Sequence, residues 1–143
     1  MRQATATGAG VKGAPDPMAG SVACTDCHHL DDPAQTVREI KPRCAGCHDD
    51  SYAKLLDKWF ADWKNQRAKI VALIEAAKLR IEQDRRRGKD ATAAEKRLAQ
   101  AQADFQITEA GHGVHNIDYT LALLKAAEAD LNRIVESSPA TGK

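Results

Sequence analysis

The placement of four cysteines constrains this chain more than any other feature. They fall in two short pieces, Cys24-Thr25-Asp26-Cys27-His28 and Cys44-Ala45-Gly46-Cys47-His48, and these use every cysteine present. Two thiols three positions apart, followed at once by an imidazole, form the pattern through which a haem is attached covalently. Each thiol adds to one vinyl group, and the adjoining histidine becomes the proximal axial ligand of the iron. Read without the histidines, the spacing C-x2-C-x16-C-x2-C also falls within the zinc-ribbon range. The residue after each pair separates the two readings. Histidine is 5 of 143 residues, so two chance placements there have a probability of roughly 0.001, and a zinc ribbon needs histidine at neither place. Disulfides or a thioredoxin-like redox pair form a third reading, but no βαβ pattern surrounds the motifs. The expectation is two molecules of haem c, with a zinc-ribbon-like module as the alternative.

The apolar inventory points the same way. Before residue 50 the sizeable apolar side chains, cysteines aside, are Met1, Val11, Met18, Val22, Leu30, Val37 and Ile40. That set buries too little surface to offset the entropy of ordering the segment. Two porphyrins would supply the missing apolar mass. A chain this long normally forms one domain. With 21 basic against 20 acidic side chains, nothing argues for a nucleic-acid or anionic-membrane partner. No apolar run in residues 1–23 is long enough for a signal-peptide core, and no stretch could span a membrane. Covalent haem attachment normally takes place outside the cytoplasm. The expected location is therefore periplasmic or extracellular, for a mature chain or a piece of a larger protein.

Residues 1–20, rich in Thr, Gly and Pro, read as a flexible arm or linker. Within it Met18 carries a sulfur able to ligate iron, although a lone Met between Pro17 and Ala19 is more often a packing residue. From Ser51 onward, Leu56, Trp59, Trp63, Ile70, Ile74, Ala77 and Ile81 step at helical intervals. Ser51 is the expected N-cap and Gly88 the stop, giving a helix of about 35 residues and roughly 50 Å. The run Arg85-Arg86-Arg87-Gly88-Lys89 reads as a solvated turn. Asp90 would then cap a second helix with the stripe Ala91, Ala94, Leu98, Ala101 and Phe105, small enough for close antiparallel packing on the first. After Gly111-His112-Gly113-Val114-His115, Asn116 would cap a third helix bearing Ile117, Leu121, Leu124, Leu131 and Ile134 or Val135. The fold class predicted is all-α: a haem-packed N-terminal region of loops and short helices, a long antiparallel helical hairpin, and a C-terminal helix. Residues 21–137 would form the single domain and 138–143 a tail.

Five histidines set the ligation. His28 and His48 are the proximal ligands. His29 is adjacent to His28 and cannot reach the same iron from the opposite face, so it would have to cross to the other haem. The hairpin returns His112 and His115 to the haem end, where a histidine held before a capped helix has the fixed backbone a distal ligand needs. The glycines around them would leave room for a flat macrocycle. His115 is the first distal choice, His29 the second, and His112 the alternative to His29. Arg38, Lys41 and Arg43 are candidate counter-charges for haem propionates, or solvated surface.

The doubled histidine of Cys27-His28-His29 resembles the small multihaem cytochromes of the c3 type. Together with the second motif, the hairpin and Gly113-Val114-His115-Asn116 followed by Tyr119, the chain resembles bacterial multihaem cytochromes c. The nearest likeness is to the superfamily of ammonia-forming nitrite reductases and octahaem hydroxylamine oxidoreductases. That resemblance implies a distal role for the histidine before Asn116. Those reductases build their catalytic haem on a motif ending in lysine, whereas both motifs here end in histidine. The resemblance therefore implies ligation and electron transfer rather than catalysis. The expected function is a dihaem electron carrier, not an enzyme, with redox proteins and other multihaem cytochromes as partners. Two alternatives stand beside it: a sensor or substrate-reducing module with one five-coordinate haem, and a homo-oligomer assembled through the hairpin.

Overall fold

The periodicity of residues 51–135 is strong enough that three long helices form where it predicts them. The computed structural model describes residues 20–32 and 34–137, together with Val11, Pro15, Asp16 and Met18. Most of the expected arm, and all of the expected tail, lie outside these. Among the described residues there are four α-helices and no strand: α1 (Val37–Ala45), α2 (Ser51–Arg86), α3 (Thr92–Ala110) and α4 (Ile117–Val135), preceded by a 3-10 turn at Cys24–Asp26. No described helix is long and apolar enough to cross a membrane.

The 36 residues of α2 span roughly 54 Å, against roughly 28 Å for the 19 residues of α3 and of α4. Its first amide is capped by Asp49, whose Oδ1 accepts from the Ser51 N–H at 2.8 Å. Ser51, the expected cap, is instead the first helical residue. A carboxylate is the stronger acceptor for an unpaired amide and complements the positive end of the helix dipole. The hydrogen bonds from Ser51 hold the Asp49 carboxyl below the usual range. At the far end Gly88 takes a left-handed conformation with φ 73°, which a side chain would disfavour. Asp90 Oδ1 accepts from the Thr92 N–H at 2.9 Å and so caps α3. Arg85 reaches Glu95 at 2.7 Å and Lys89 reaches Asp84 at 3.3 Å, so carboxylates offset much of the basic run.

The hairpin is antiparallel: Arg85 meets Glu95 at the tip, and Arg67 Nε lies 2.9 Å from both Glu109 oxygens near the other end. Its arms do not pack mainly on each other, as their small residues predict. Each packs more extensively on α4. Leu124, Ala127, Leu131 and Ile134 join Ile70, Ile74, Ala77, Ile81 and Ala101 in one cluster. Because α4 faces two neighbours, its buried surface is wider than one stripe. Tyr119, Thr120 and Leu123 are buried, while Ile117 and Leu121 are only half-buried. Trp59 is likewise half-buried, unlike Trp63.

Since α3 ends and α4 begins near Arg67 and Trp63, the first two to three turns of α2 project beyond the three-helix core. There α1 packs against α2, with Lys41 Nζ donating to Asp57 at 2.6 Å. No residue of α1 is buried. The polypeptide around the cysteines therefore has almost no core of its own.

Replacing Ile70 or Leu131 with Ala should destabilise the protein by about 2–5 kcal/mol, whereas Leu79→Ala, at 60% exposure, should shift it by no more than about 0.5 kcal/mol; urea unfolding measures both. The hydrogen bond from Arg80 holds the Asp84 carboxyl below the usual range, with Lys89 assisting. A depressed carboxylate stabilises fully above its unfolded value, about 3.9, and that stabilisation disappears as pH falls through the lower folded value. The Tm difference between wild type and Asp84→Asn should therefore be largest near neutral pH and shrink on acidification below about pH 4.

Candidate functional site

Each cysteine motif is folded into one helical turn, and the two turns have matching bonds. In the first, the Cys24 carbonyl accepts from the N–H groups of Cys27 at 3.3 Å and His28 at 2.8 Å. In the second, the Cys44 carbonyl accepts from Cys47 at 3.2 Å and His48 at 2.8 Å. Positions i, i+3 and i+4 of a helical turn share a face. Both motifs thus present two thiols and an imidazole on one side, the arrangement that two thioethers and an axial ligand require.

Sequence dictates these turns locally. Asp26 Oδ2 accepts from the Ala23 N–H at 2.7 Å at the start of the first. Glu39 Oε2 accepts from the Thr36 N–H and hydroxyl at 2.6 and 2.7 Å, anchoring α1, which ends in the second. Gln35 fastens the first turn from outside: its Oε1 accepts from the His29 N–H at 3.0 Å and its Nε2 donates to the Cys27 carbonyl at 3.2 Å. The two motifs are neighbours. Burial, then the nearby Cys44 thiol, the Asp26 carboxylate and the Cys47 thiol, push the Cys27 thiol up, with Arg43 acting in the opposite sense.

The histidines are arranged unequally. His28 and His115, 87 residues apart in sequence, approach with their Nε2 atoms 3.4 Å apart. Their ring centroids stand 5.6 Å apart at an interplanar angle of 30°, so the rings meet tip to tip rather than face to face. His115 Nδ1 lies 2.9 Å from the Gly111 carbonyl. A carbonyl only accepts, so Nδ1 carries a proton and donates, which in the neutral ring leaves the Nε2 lone pair directed at His28. Two imidazole nitrogens trans across one metal, at roughly 2.0 Å each, would stand about 4 Å apart, and two on a tetrahedral ion about 3.3 Å. For a metal held between them in the trans arrangement, His28 and His115, now 3.4 Å apart, would have to part by about 0.6 Å.

His29 is exposed, and its Nε2 accepts from Arg43 Nη2 at 2.9 Å. That contact carries it toward the second motif, and ligation through Nε2 would require Arg43 to let go. The His48 ring lies flat on Tyr52, with centroids 3.9 Å apart and an interplanar angle of 13°. His112 is exposed with φ 46°, a left-handed conformation uncommon for a non-glycine residue. The Met18 side chain is 39% exposed. Of the three candidate counter-charges, Lys41 is engaged by Asp57 and Arg43 by His29. Among the described residues, no three His, Cys, Asp or Glu side chains converge as a metal-holding cluster.

The space beside Gly113 is taken by protein. A Cβ there would lie 2.2 Å from Trp63 Cγ, and Gly113 has φ 76°. What this glycine accommodates is the Trp63 indole, in place of the macrocycle expected from the sequence. Gln35, Tyr52 and the contact of Gly113 with Trp63 are parts of the site that sequence reasoning passed over; the signal for the last was the place of Trp63 on the stripe of α2, at the end nearest the cysteine motifs. Comparison with family models, curated proteins and solved structures finds no match.

Gly113→Ala should destabilise the fold by roughly 2–4 kcal/mol, combining left-handed strain with overpacking. Asn116 Oδ1 caps α4 by accepting from the Tyr119 N–H at 3.1 Å, so Asn116→Ala should cost about 1 kcal/mol. Urea unfolding of both variants measures the difference.

Proposed function

We propose that the chain is a dihaem c-type cytochrome that carries electrons, with Cys24 and Cys27 attaching one haem and Cys44 and Cys47 the other. The observation that carries this reading is the opposition of His28 and His115, each drawn from a distant part of the sequence, with the lone pair of His115 directed inward. The matching turns of the two motifs and the absence of buried residues in α1 support it: a region with apolar groups such as Leu30 at 71% exposure gains its missing packing from the porphyrins. When bound, haem supplies an iron that gains and loses one electron.

The residues of the chain set how that happens. His28 and His115 would together hold the first iron, which would leave substrate no site there. Gly111 holds the Nδ1 proton of His115, which fixes the ring and raises the basicity of Nε2. Two imidazoles also set a lower potential than an imidazole and a thioether. The proximity of Cys27 to Cys44 and Cys47 keeps the two attachment points together, suiting transfer between haems and onward to redox proteins, other multihaem cytochromes among them. Membership of the multihaem superfamily named above, and a periplasmic or extracellular location, belong to the same proposal.

A second reading is favoured by a specific observation at the other motif. His48 lies on Tyr52 and His29 is held by Arg43, so the second iron would be five-coordinate and open to a small ligand unless His29 or His112 moves onto it. The two readings part on carbon monoxide.

Intact mass of the denatured protein should show two haems retained through thioethers. The reduced spectrum should be low-spin, and carbon monoxide should leave it unchanged for a carrier with both irons closed. A carbonyl adduct at one haem would establish the open second site. A colourless protein holding zinc at its cysteines would defeat both readings.

A further inference from the structure

We infer that Trp63 is the positioning residue for His115: its indole, seated against Gly113, fixes the turn 111–116 and with it the imidazole opposing His28. The inference rests on the dihaem reading for what His115 ligates, but the contact itself belongs to the chain alone.

The turn is held from two sides. On one, its amides continue α3: Gly111 N–H donates to the Ile107 carbonyl at 3.3 Å, His112 N–H to Glu109 at 3.0 Å and Gly113 N–H to Thr108 at 3.1 Å. Two successive left-handed residues, His112 at φ 46° and Gly113 at φ 76°, then reverse the chain. On the other side stands Trp63. A Cβ on residue 113 would meet its Cγ, Cδ1 and Cδ2 at 2.2, 2.5 and 2.7 Å, so the indole presses on the backbone itself. His115 follows two residues later and bonds back to Gly111, two residues before, at 2.9 Å. Any movement of Gly113 is therefore transmitted to the ring.

The indole holds this place by shape. Its Nε1 is buried and has no hydrogen-bond partner among the described residues, although a buried donor ordinarily requires one. Phe60 backs it edge-on, with centroids 6.4 Å apart. A smaller side chain would leave a void beside Gly113, and the left-handed pair would lose the wall that selects its conformation. Trp63 also lies on α2, the helix against which α1 and the second motif pack, so one element places both sides of the site.

The test compares Trp63→Leu, Trp63→Phe and Ile81→Ala in the full chain, the last as a core-weakening control at the remote tip. Nitrogen NMR of the histidine rings in the haem-free chain reads the tautomer of His115; carbon monoxide binding reads the haem-loaded chain; circular dichroism reads helix content. Trp63→Leu should convert His115 from a single Nδ1–H form to an exchange-averaged ring. In the loaded chain it should open the first haem to carbon monoxide, giving an adduct there that wild type does not form. Trp63→Phe should fall between it and wild type, and Ile81→Ala should leave both readouts as in wild type. If Trp63→Leu loses helix content, Trp63→Phe decides by the same shift. A His115 ring unchanged in folded Trp63 variants, or loosened equally by Ile81→Ala, overturns the inference. A wild type that takes up no haem overturns the dihaem reading, while the ring nitrogens still decide the role of Trp63.

Discussion

The burial of α4 between the two arms of the hairpin is the interaction on which the rest depends. An arm as alanine-rich as α3 offers α2 little apolar surface to pack on, and isolated helices are marginal in water without tertiary packing. Leu124, Leu131 and Ile134 of α4 supply what the arms lack, and they do so for both at once. Polar links reinforce the same arrangement: Asp130 of α4 takes Arg97 of α3 at 3.0 Å, and Arg80 of α2 reaches the Ser137 carbonyl just past α4. With α4 seated, its N-terminus and the preceding turn are held at the end where His115 meets His28.

Much of this was legible in the sequence, for a local reason. The stripe from Leu56 to Ile81, the stop at Gly88 and the Asn116 cap on Tyr119 are all encoded within a few residues, and all formed where expected. What was not legible is non-local. Nothing in the spacing of Ala91, Ala94, Leu98 and Ala101 says whether the neighbour across the groove is α2 or α4. Polarity also hid two core positions on α3. Asp104 and Thr108 are buried on α3, where Gln100 Nε2 donates to Asp104 at 3.0 Å and the Thr108 hydroxyl donates to the Phe105 carbonyl at 2.8 Å. Groups served by their own helix can sit inside without any apolar signature.

At the candidate site the division runs the same way. The two cysteine motifs are contiguous, so the one-turn geometry of each follows from the sequence directly. The return of His115 to the first motif follows from counting a hairpin out and back. The partners of His29 and His48 do not, because Arg43 and Tyr52 come from adjoining turns whose relative rotation no spacing rule fixes. The glycine at 113 was recognised as making room, but the occupant of that room lies on another helix.

The unequal lengths of the helices separate two jobs. The histidine pair, the cysteine turns and the tryptophan beneath them are all referenced to one end of α2, while the basic tip lies at the other. The section between Arg67 and Gly88 carries the core residues Ile70, Ile74, Ala77 and Ile81, and it also sets how far the tip stands from the two imidazoles. One packed segment thus provides both the cohesion of the bundle and its reach.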